Sequence, residues 1–291
     1  MTIIDEFSLR NCRAVVADTD PQGRHRMRSD LYVMGFRQID HVADYAELSE
    51  VLETTRPDLI VADMRLEGGE VSNLIRDIRH HQFEGDPFVP VIVTADKVSP
   101  DLVNSVISSG ADHFLVKPWD ELALEDRIKQ MIFSRKPFVV TFDYIGPDRR
   151  ATNRDGDTTP KLAVPNPLHS KVIERKTSED YQRDVDHHRA VINERKLLRG
   201  ANQVLWIANK ILPVYSGGTP DQTLAENLEG LEFTVEDMIR RVEGTPYQPH
   251  AESLGRLLAV VENLRRHYNT PDRDDVLKLE EYSRQVAANI R

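Results

Sequence analysis

Short apolar runs alternate with amphipathic ones along the first half of the chain. Residues 14–17, 36–41, 58–62, 89–93 and 113–116 read as strands, and Ala14-Val15-Val16-Ala17 and Leu59-Ile60-Val61-Ala62 are apolar throughout. A strand apolar on both faces is a buried parallel strand. Helices are predicted over 21–34 with Gly35 as the stop, over 45–55, near 71–80 and over 121–133. Another is predicted from Ser99-Pro100, an N-cap followed by proline in the first turn, to Gly110. Five strand–helix units in series predict an α/β doubly wound five-stranded parallel sheet, covered by helices on both faces through right-handed crossovers.

The pattern then changes. Pro137-Phe138-Val139-Val140-Thr141-Phe142 is a short strand-like run, followed by Gly146-Pro147-Asp148, which reads as a turn, and by Arg149 and Arg150. Such a run is expected to pack on a folded surface. It is either a linker pinned to the preceding domain or a docking element whose arginines meet an acidic surface. Residues 151–177 are rich in Asp, Thr, Pro, Asn and Lys without any period, so a flexible linker is predicted. Beyond it, apolar residues recur at 4-3 spacing. A first helix over 178–212 carries Leu197, Ala201, Val204, Ala208 and Ile211 and is expected to break at Pro213. The next starts at Thr219-Pro220 and carries Leu224, Leu228, Leu231, Val235, Met238 and Val242. A third carries Leu254, Leu257, Val261, Leu264 and Tyr268, and a fourth Val276, Leu279, Tyr282, Val286 and Ile290. An all-α four-helix bundle follows. The expected domains are thus 10–135, a connector over 136–177, and a helical output domain over 178–291.

Charge narrows the partners. The net charge of −10 comes mostly from residues 1–135, which hold 15 basic and 24 acidic side chains; residues 136–291 hold 23 and 24. Neither half has the basic excess that binding to a phosphate backbone uses, so no DNA partner is expected. No apolar stretch is long enough to span a bilayer. Met1 to Arg10 includes Asp5 and Glu6 and lacks the apolar core of a signal peptide. Cys12 is the single cysteine, leaving no internal disulfide or cysteine-rich metal site. A cytoplasmic location is expected.

Side chains with distinct chemistry gather at the C-terminal ends of the predicted strands, where open α/β sheets place ligands. Asp18 follows the first strand, Asp63 the third, Thr94 the fourth, and Lys117-Pro118 the fifth. In this order, these residues and Asp20-Pro21 resemble the receiver domain of bacterial response regulators, the CheY-like fold, over about residues 10–135. The resemblance implies phosphoryl transfer onto Asp63 from a phosphohistidine, with a histidine kinase or histidine phosphotransfer protein as partner. It implies Mg²⁺ held by Asp18, Asp63 and the backbone carbonyl of Arg65, with Asp20 a further candidate ligand. It implies that Thr94 and Lys117 contact the phosphoryl group and that Phe114 is the aromatic that rotates on activation.

Two positions depart from the family. Thr19 stands where a second metal-binding acid is common, so weak Mg²⁺ binding is expected. Glu67 replaces a frequent proline and precedes Gly68-Gly69. No enzymatic motif is found in the helical region, and an output through protein–protein contacts is expected, to an unknown protein or a second copy of the chain. The polar first half of the long helix, with its thin seam of Val185, His188 and Ile192, is the predicted contact. Two alternatives remain: a bundle that passes the phosphoryl group through His187, His188, His250 or His267, and a degenerate receiver that acts as a scaffold.

Overall fold

The computed structural model describes residues 8–83, 85–141, 143–150 and 160–291. They form two compact units, one running to His188 and the other Arg189–Arg291. Residues 1–7, Phe142 and residues 151–159 of the predicted linker lie outside the described residues.

The first unit is built on the strands β1 (Arg13–Ala17), β2 (Gln38–Val42), β3 (Leu59–Asp63), β6 (Val91–Ala95) and β7 (His113–Val116), all parallel, in the order β2-β1-β3-β6-β7. Helices α1 (Pro21–Val33), α2 (Tyr45–Thr54), α3 (Val71–Arg79), α4 (Pro100–Ser109) and α5 (Glu121–Phe133) connect them. Strand alternation divides the core. Val15, Ala17, Ile60, Ala62, Val91 and Val93 pack with Leu48, Leu74, Ile75 and Val106 of α2, α3 and α4. Ala14, Val16, Leu59, Val61, Ile92 and Leu115 pack with Met27, Leu31, Leu124 and Ile128 of α1 and α5. The five-stranded doubly wound sheet is therefore present. β6 begins two residues later than the pattern suggests. Pro90 has no N–H to give a ladder, and its carbonyl instead accepts the Ile60 N–H at 3.0 Å. The predicted cap of α4 forms, with Ser99 Oγ accepting from the Leu102 N–H at 3.2 Å and Gly110 closing the helix at φ +90°.

After Asp63 the chain makes a small hairpin, β4 (Arg65–Leu66) with β5 (Gly69–Glu70). Gly68 turns it at φ +90°, and a Cβ on Gly69 would meet the Tyr45 ring at 2.6 Å. Glu67, in the place of the family's proline, joins the hairpin to α2 through its carbonyl, which accepts the Tyr45 N–H.

The connector differs from expectation. β8 (Phe138–Val140) pairs antiparallel with β9 (Ile145–Pro147), so Gly146-Pro147 lies in a strand and the reversal falls between Val140 and Ile145. Gly146 is needed there for close approach, since a Cβ would lie 2.7 Å from the Gly110 Cα. Among the contacts of the two arginines, Arg150 pairs with Asp148 just past the strand end, and Arg149 donates to the carbonyls of Ala111 and Asp112. From residue 160 the predicted flexible linker is ordered. β10 (Lys161–Leu162) adds to β8, and α6 (Pro167–His169) continues as a wide turn, Ser170–Glu174, that buries Leu168 and Val172 against α5 and β1. Lack of period hid this, because a few apolar residues on a short turn produce no stripe.

Buried polar groups fix this segment to the N-terminal edge of the sheet. Asp112, just ahead of β7, accepts from Arg79 Nη2 at 3.0 Å, from Arg135 Nε at 2.7 Å and Nη2 at 3.1 Å, and from the Val91 N–H at 2.9 Å. Both guanidiniums lie over the Phe138 ring, 5.3 and 5.0 Å from its centroid. Burial alone raises the Asp112 carboxyl, but Arg135 and then Arg79 more than offset it and hold it below the ordinary range. Lys171 Nζ reaches Asp58 at 2.7 Å, and Tyr181 Oη donates to Asp86 at 2.6 Å. Burial outweighs these partners and leaves both the Asp58 and Asp86 carboxyls raised.

The second unit contains most of α7 (Ser178–Gly217) with α8 (Gln222–Val242), α9 (Ala251–Arg266) and α10 (Arg273–Asn289) around one core, which includes Leu197, Val204, Leu228, Met238, Leu257 and Leu279. A helical region of four helices is thus as predicted. α7 does not break at Pro213. The proline is exposed and forfeits one helical hydrogen bond near the end, while Val214 and Tyr215 beyond it still pack on the core. Asp221, not Thr219-Pro220, starts α8, through Oδ1 accepting from the Leu224 N–H. The proposed contact seam is not free: Val185 is 1% exposed and His188 packs edge-on to Phe88, both inside the first unit. No helix among the described residues is long and apolar enough to cross a membrane.

Asp112→Asn tests the N-terminal edge. It leaves two buried guanidiniums without their carboxylate, so unfolding in urea is expected to need about 3–5 kcal/mol less than in the wild type. The loss should shrink as pH falls through the carboxylate range, because the wild-type contribution is present only while Asp112 is ionised.

Candidate functional site

Asp18, Asp63, Thr94 and Lys117 come together at the C-terminal edge because of strand parity. Asp63 closes β3 and stands in register with Thr94 of β6, and Thr94 in turn with Leu115 of β7. Two residues on from Leu115, Lys117 has the same parity, as Asp18 does with Val16. All four therefore belong to the face of the sheet that carries α1 and α5.

The Lys117 ammonium bridges the two carboxylates, lying 2.7 Å from Asp18 Oδ2 and in contact with Asp63 Oδ2. The other oxygens are used locally. Asp18 Oδ1 accepts from the Asp20 N–H at 2.9 Å and Asp63 Oδ1 from the Arg65 N–H at 2.9 Å. Asp18 and Asp63 are 4% and 9% exposed, so their charges are little screened and the shared cation holds them together. Burial lowers the Lys117 ammonium, but the two carboxylates more than offset this and keep it above its ordinary value, hence charged at neutral pH.

The neighbouring loop is built for this pair. Asp20, the further candidate ligand, is engaged as a helix cap. Its Oδ1 and Oδ2 cap α1 by accepting from the Gln22 and Gly23 N–H groups at 3.1 and 2.9 Å. Gly23 is required by space, since a Cβ there would lie 2.6 Å from Asp18 Oδ2. Arg24 donates to the carbonyls of Asp18 and Thr19, holding the strand end over the helix. Thr19 itself is exposed. Arg65 places its N–H on Asp63, and its side chain is exposed. Thr94 is 3% exposed beside Asp63. Phe114 has the opposite parity, in register with Val93, and packs part-buried against the α2–α4 side of the core.

Sequence reading missed the anchor of Lys117. Trp119, two residues on, is buried and donates through Nε1 to Asp30 Oδ2 at 2.8 Å. Arg26 donates to the Trp119 carbonyl at 2.7 Å and lies over its ring at 5.1 Å. The signal was present: Asp30 is an acid between Met27 and Leu31 on the buried face of α1, and such a group needs a partner.

Two hard oxygens converging on one cation position suit a small divalent metal that keeps much of its water. Among the described residues no cluster of three or more His, Cys, Asp or Glu side chains is arranged to hold a metal. Of the histidines named as alternative phosphate carriers, His187 and His267 are exposed and His188 and His250 half-buried. His187 and His188 belong to the first unit, and His188 Nδ1 is bonded to the Asp184 carbonyl at 2.8 Å. In the second unit His250 closes a short 3₁₀ turn, Gln248–His250, just ahead of α9, and His267 caps the end of α9.

Residues 14–129 match the response regulator receiver domain family. The two-component response regulator PhoP of Pseudomonas aeruginosa is 27% identical over 186 residues, 64% of this chain and 77% of that protein. The transcriptional regulatory protein PrrA of Mycobacterium leprae is 31% identical over 126 residues, and the match spans 42% of this chain but about half of that relative, 51%. Among solved structures, the receiver domain of a Pseudomonas aeruginosa sensor histidine kinase, determined with a magnesium ion in its active-site cleft, is 24% identical with a TM-score of 0.37, covering 41% of this chain and 94% of that one. Chemotaxis protein CheY4 of Vibrio cholerae is 20% identical with a TM-score of 0.37, covering 41% and 97%.

Trp119→Phe tests the anchor. The ring stays buried while Asp30 loses its close donor, so a stability loss of about 1–3 kcal/mol is expected. Hydrogen exchange should rise at the Lys117 amide, which is bonded to the Ala95 carbonyl at 2.9 Å, more than at amides of β1.

Proposed function

We propose that the receiver domain is the input of a two-component response regulator, phosphorylated on Asp63, whose helical unit relays the signal by protein contacts. The observation that carries this reading is the single ammonium shared by Asp18 and Asp63 at the sheet's C-terminal edge. A carboxylate becomes a useful phosphoryl acceptor when it is ionised, exposed on one side and beside cations that neutralise the incoming group.

Asp63 Oδ2 would attack the phosphorus of a phosphohistidine on a histidine kinase or histidine phosphotransfer protein. The P–N bond breaks, its electron pair returns to the imidazole, and that nitrogen takes up a proton. Asp18 and Asp63 would hold Mg²⁺, with the Arg65 carbonyl the further candidate and water completing the shell. The metal supplies charge neutralisation on the moving phosphoryl oxygens. Lys117 would leave its bridge to pair with a phosphoryl oxygen, and Thr94, in register with Asp63, would donate its hydroxyl to another. Phe114, on the other face of β7, would report the change to the α4 side. With only two carboxylates available, weak metal binding fits the Thr19 position. We assign no enzymatic activity of its own to the helical unit and no nucleic-acid partner, and we place the protein in the cytoplasm.

Acetyl phosphate with Mg²⁺, followed by mass spectrometry of the intact chain, tests this directly. One phosphoryl group is expected on the wild type and none on Asp63→Asn, whose near-isosteric side chain leaves the fold intact. Equal labelling of both proteins would move the acceptor elsewhere, and no labelling of the wild type would favour a scaffold.

Thr19→Asp should add a carboxylate to the metal site and tighten Mg²⁺ by about 1 kcal/mol or more. Titration of Mg²⁺ against tryptophan fluorescence, with Trp119 in the loop that carries Lys117, reads this without phosphorylation.

A further inference from the structure

A second polar cleft lies on the first unit, away from the carboxylate pair. It has a volume of about 340 Å³ and is bounded by the edge strand β7, helix α5 and the β8–β9 hairpin. His113, Arg127, Arg135, Lys136 and Arg149 line it, with Phe114 at one wall. Asp112 is the one carboxylate among its lining residues, and that charge is already shared by Arg135 and the buried Arg79. Arg127, Lys136 and Arg149 have no ion pair among the described residues. The Nε atoms of Arg127 and Arg149 are shut away from water without an acceptor. Three like charges around one recess raise its positive potential and favour an anion there.

We propose that this cleft binds a phosphate dianion, free or carried on a small molecule. Arg127 presents a guanidinium with no ion pair among the described residues, Arg149 adds its charge while its Nη2 stays on the Ala111 and Asp112 carbonyls, and Lys136 adds a mobile point charge at the mouth. The volume admits a phosphate together with a small attached body. A polyanionic macromolecule is a poorer fit, because these cations sit in a recess and the chain carries a net charge of −10. His113 reports the field: its imidazole is lowered to about 4 by burial first, with Asp112 opposing and Arg127, Arg149 and Lys136 pushing it further down. An anion in the cleft would cancel the cationic contribution. The site is independent of Asp63 chemistry and stands whether or not the receiver is phosphorylated.

Calorimetric titration of the full chain with inorganic phosphate, and separately with ribose 5-phosphate, at constant ionic strength tests the proposal. NMR of the His113 imidazole provides a second readout. Saturable binding is expected, with the His113 titration moving upward from about 4. Arg127→Gln should weaken binding by about tenfold or more, the loss of one charge-assisted contact. Lys136→Gln, at an exposed position, should weaken it several-fold without any risk to the fold. Lys117→Ala should bind as the wild type does. Tighter binding of ribose 5-phosphate identifies a phosphorylated small molecule as the ligand, and tighter binding of inorganic phosphate identifies the free ion. The proposal fails if neither anion gives saturable binding up to about 10 mM. It fails equally if the two cleft variants bind as the wild type does, or if Lys117→Ala abolishes binding.

Discussion

A carboxylate shut away from water must find a cation or a set of donors, and both ends of this sheet are arranged by that demand. At the C-terminal edge, in-register strands force Asp18 and Asp63 together, and Lys117 answers both. At the N-terminal edge, Asp58 and Asp112 are buried and Asp86 half-buried, and the groups that answer them come largely from beyond the sheet: Lys171, Tyr181 and Arg135. The difference lies in how replaceable each answer is. Lys117 is one flexible ammonium on one loop. Asp112 is gripped by two guanidiniums, four hydrogen bonds and an aromatic lid. Under the proposed function one edge exchanges its cation, whereas the other is locked.

That contrast decides what the post-receiver segment does. Its polar side chains are the counter-groups of acids at the strand starts, so the hairpin, the short helical turn and the first turns of α7 are part of the first unit rather than a tether. Gly146 packing against Gly110 brings the hairpin to the C-terminal end of α4, and Arg149 reaches the carbonyls just beyond. Tyr181 and Val185 then hold the start of α7. The polar composition of that helix start is thereby explained without a second chain.

The sequence revealed the edge with the exchangeable cation far better than the locked one. Asp18, Asp63, Thr94 and Lys117 each follow an apolar run, and period-two alternation suffices to bring them to one face. The 4-3 spacing of Leu224 through Val242 likewise exposes a helix stripe. Nothing comparable marks Asp112 with Arg135 or Asp58 with Lys171. The second pair is 113 residues apart, and each member alone reads as a solvated surface charge. Gly146-Pro147 misled for a related reason: turn chemistry and close backbone approach select the same small residue, and only the partner Gly110 tells them apart. Pro213 misled because a helix breaker near an exposed helix end costs little when the next turn still packs.

The locked edge also bears on how the exchangeable one would behave. With Thr19 in place of a third acid, the pair and its lysine carry one net negative charge, and the ammonium satisfies both carboxylates at once. Under the proposed function a divalent ion would have to displace that ammonium from at least one oxygen, so the resting ion pair would compete with the metal. A third carboxylate would add a ligand and also raise the repulsion that the lysine alone must balance, favouring the metal twice over. Under the proposed function, the neutral residue would favour the metal-free state. Trp119, Asp30 and Arg26 work in the same direction, because they hold the loop that presents Lys117 to the pair. Under the proposed function, a phosphoryl group would draw that lysine onto its own oxygens against this restraint. The strand that carries the lysine at one end begins beside Asp112 at the other, where two guanidiniums allow no comparable movement.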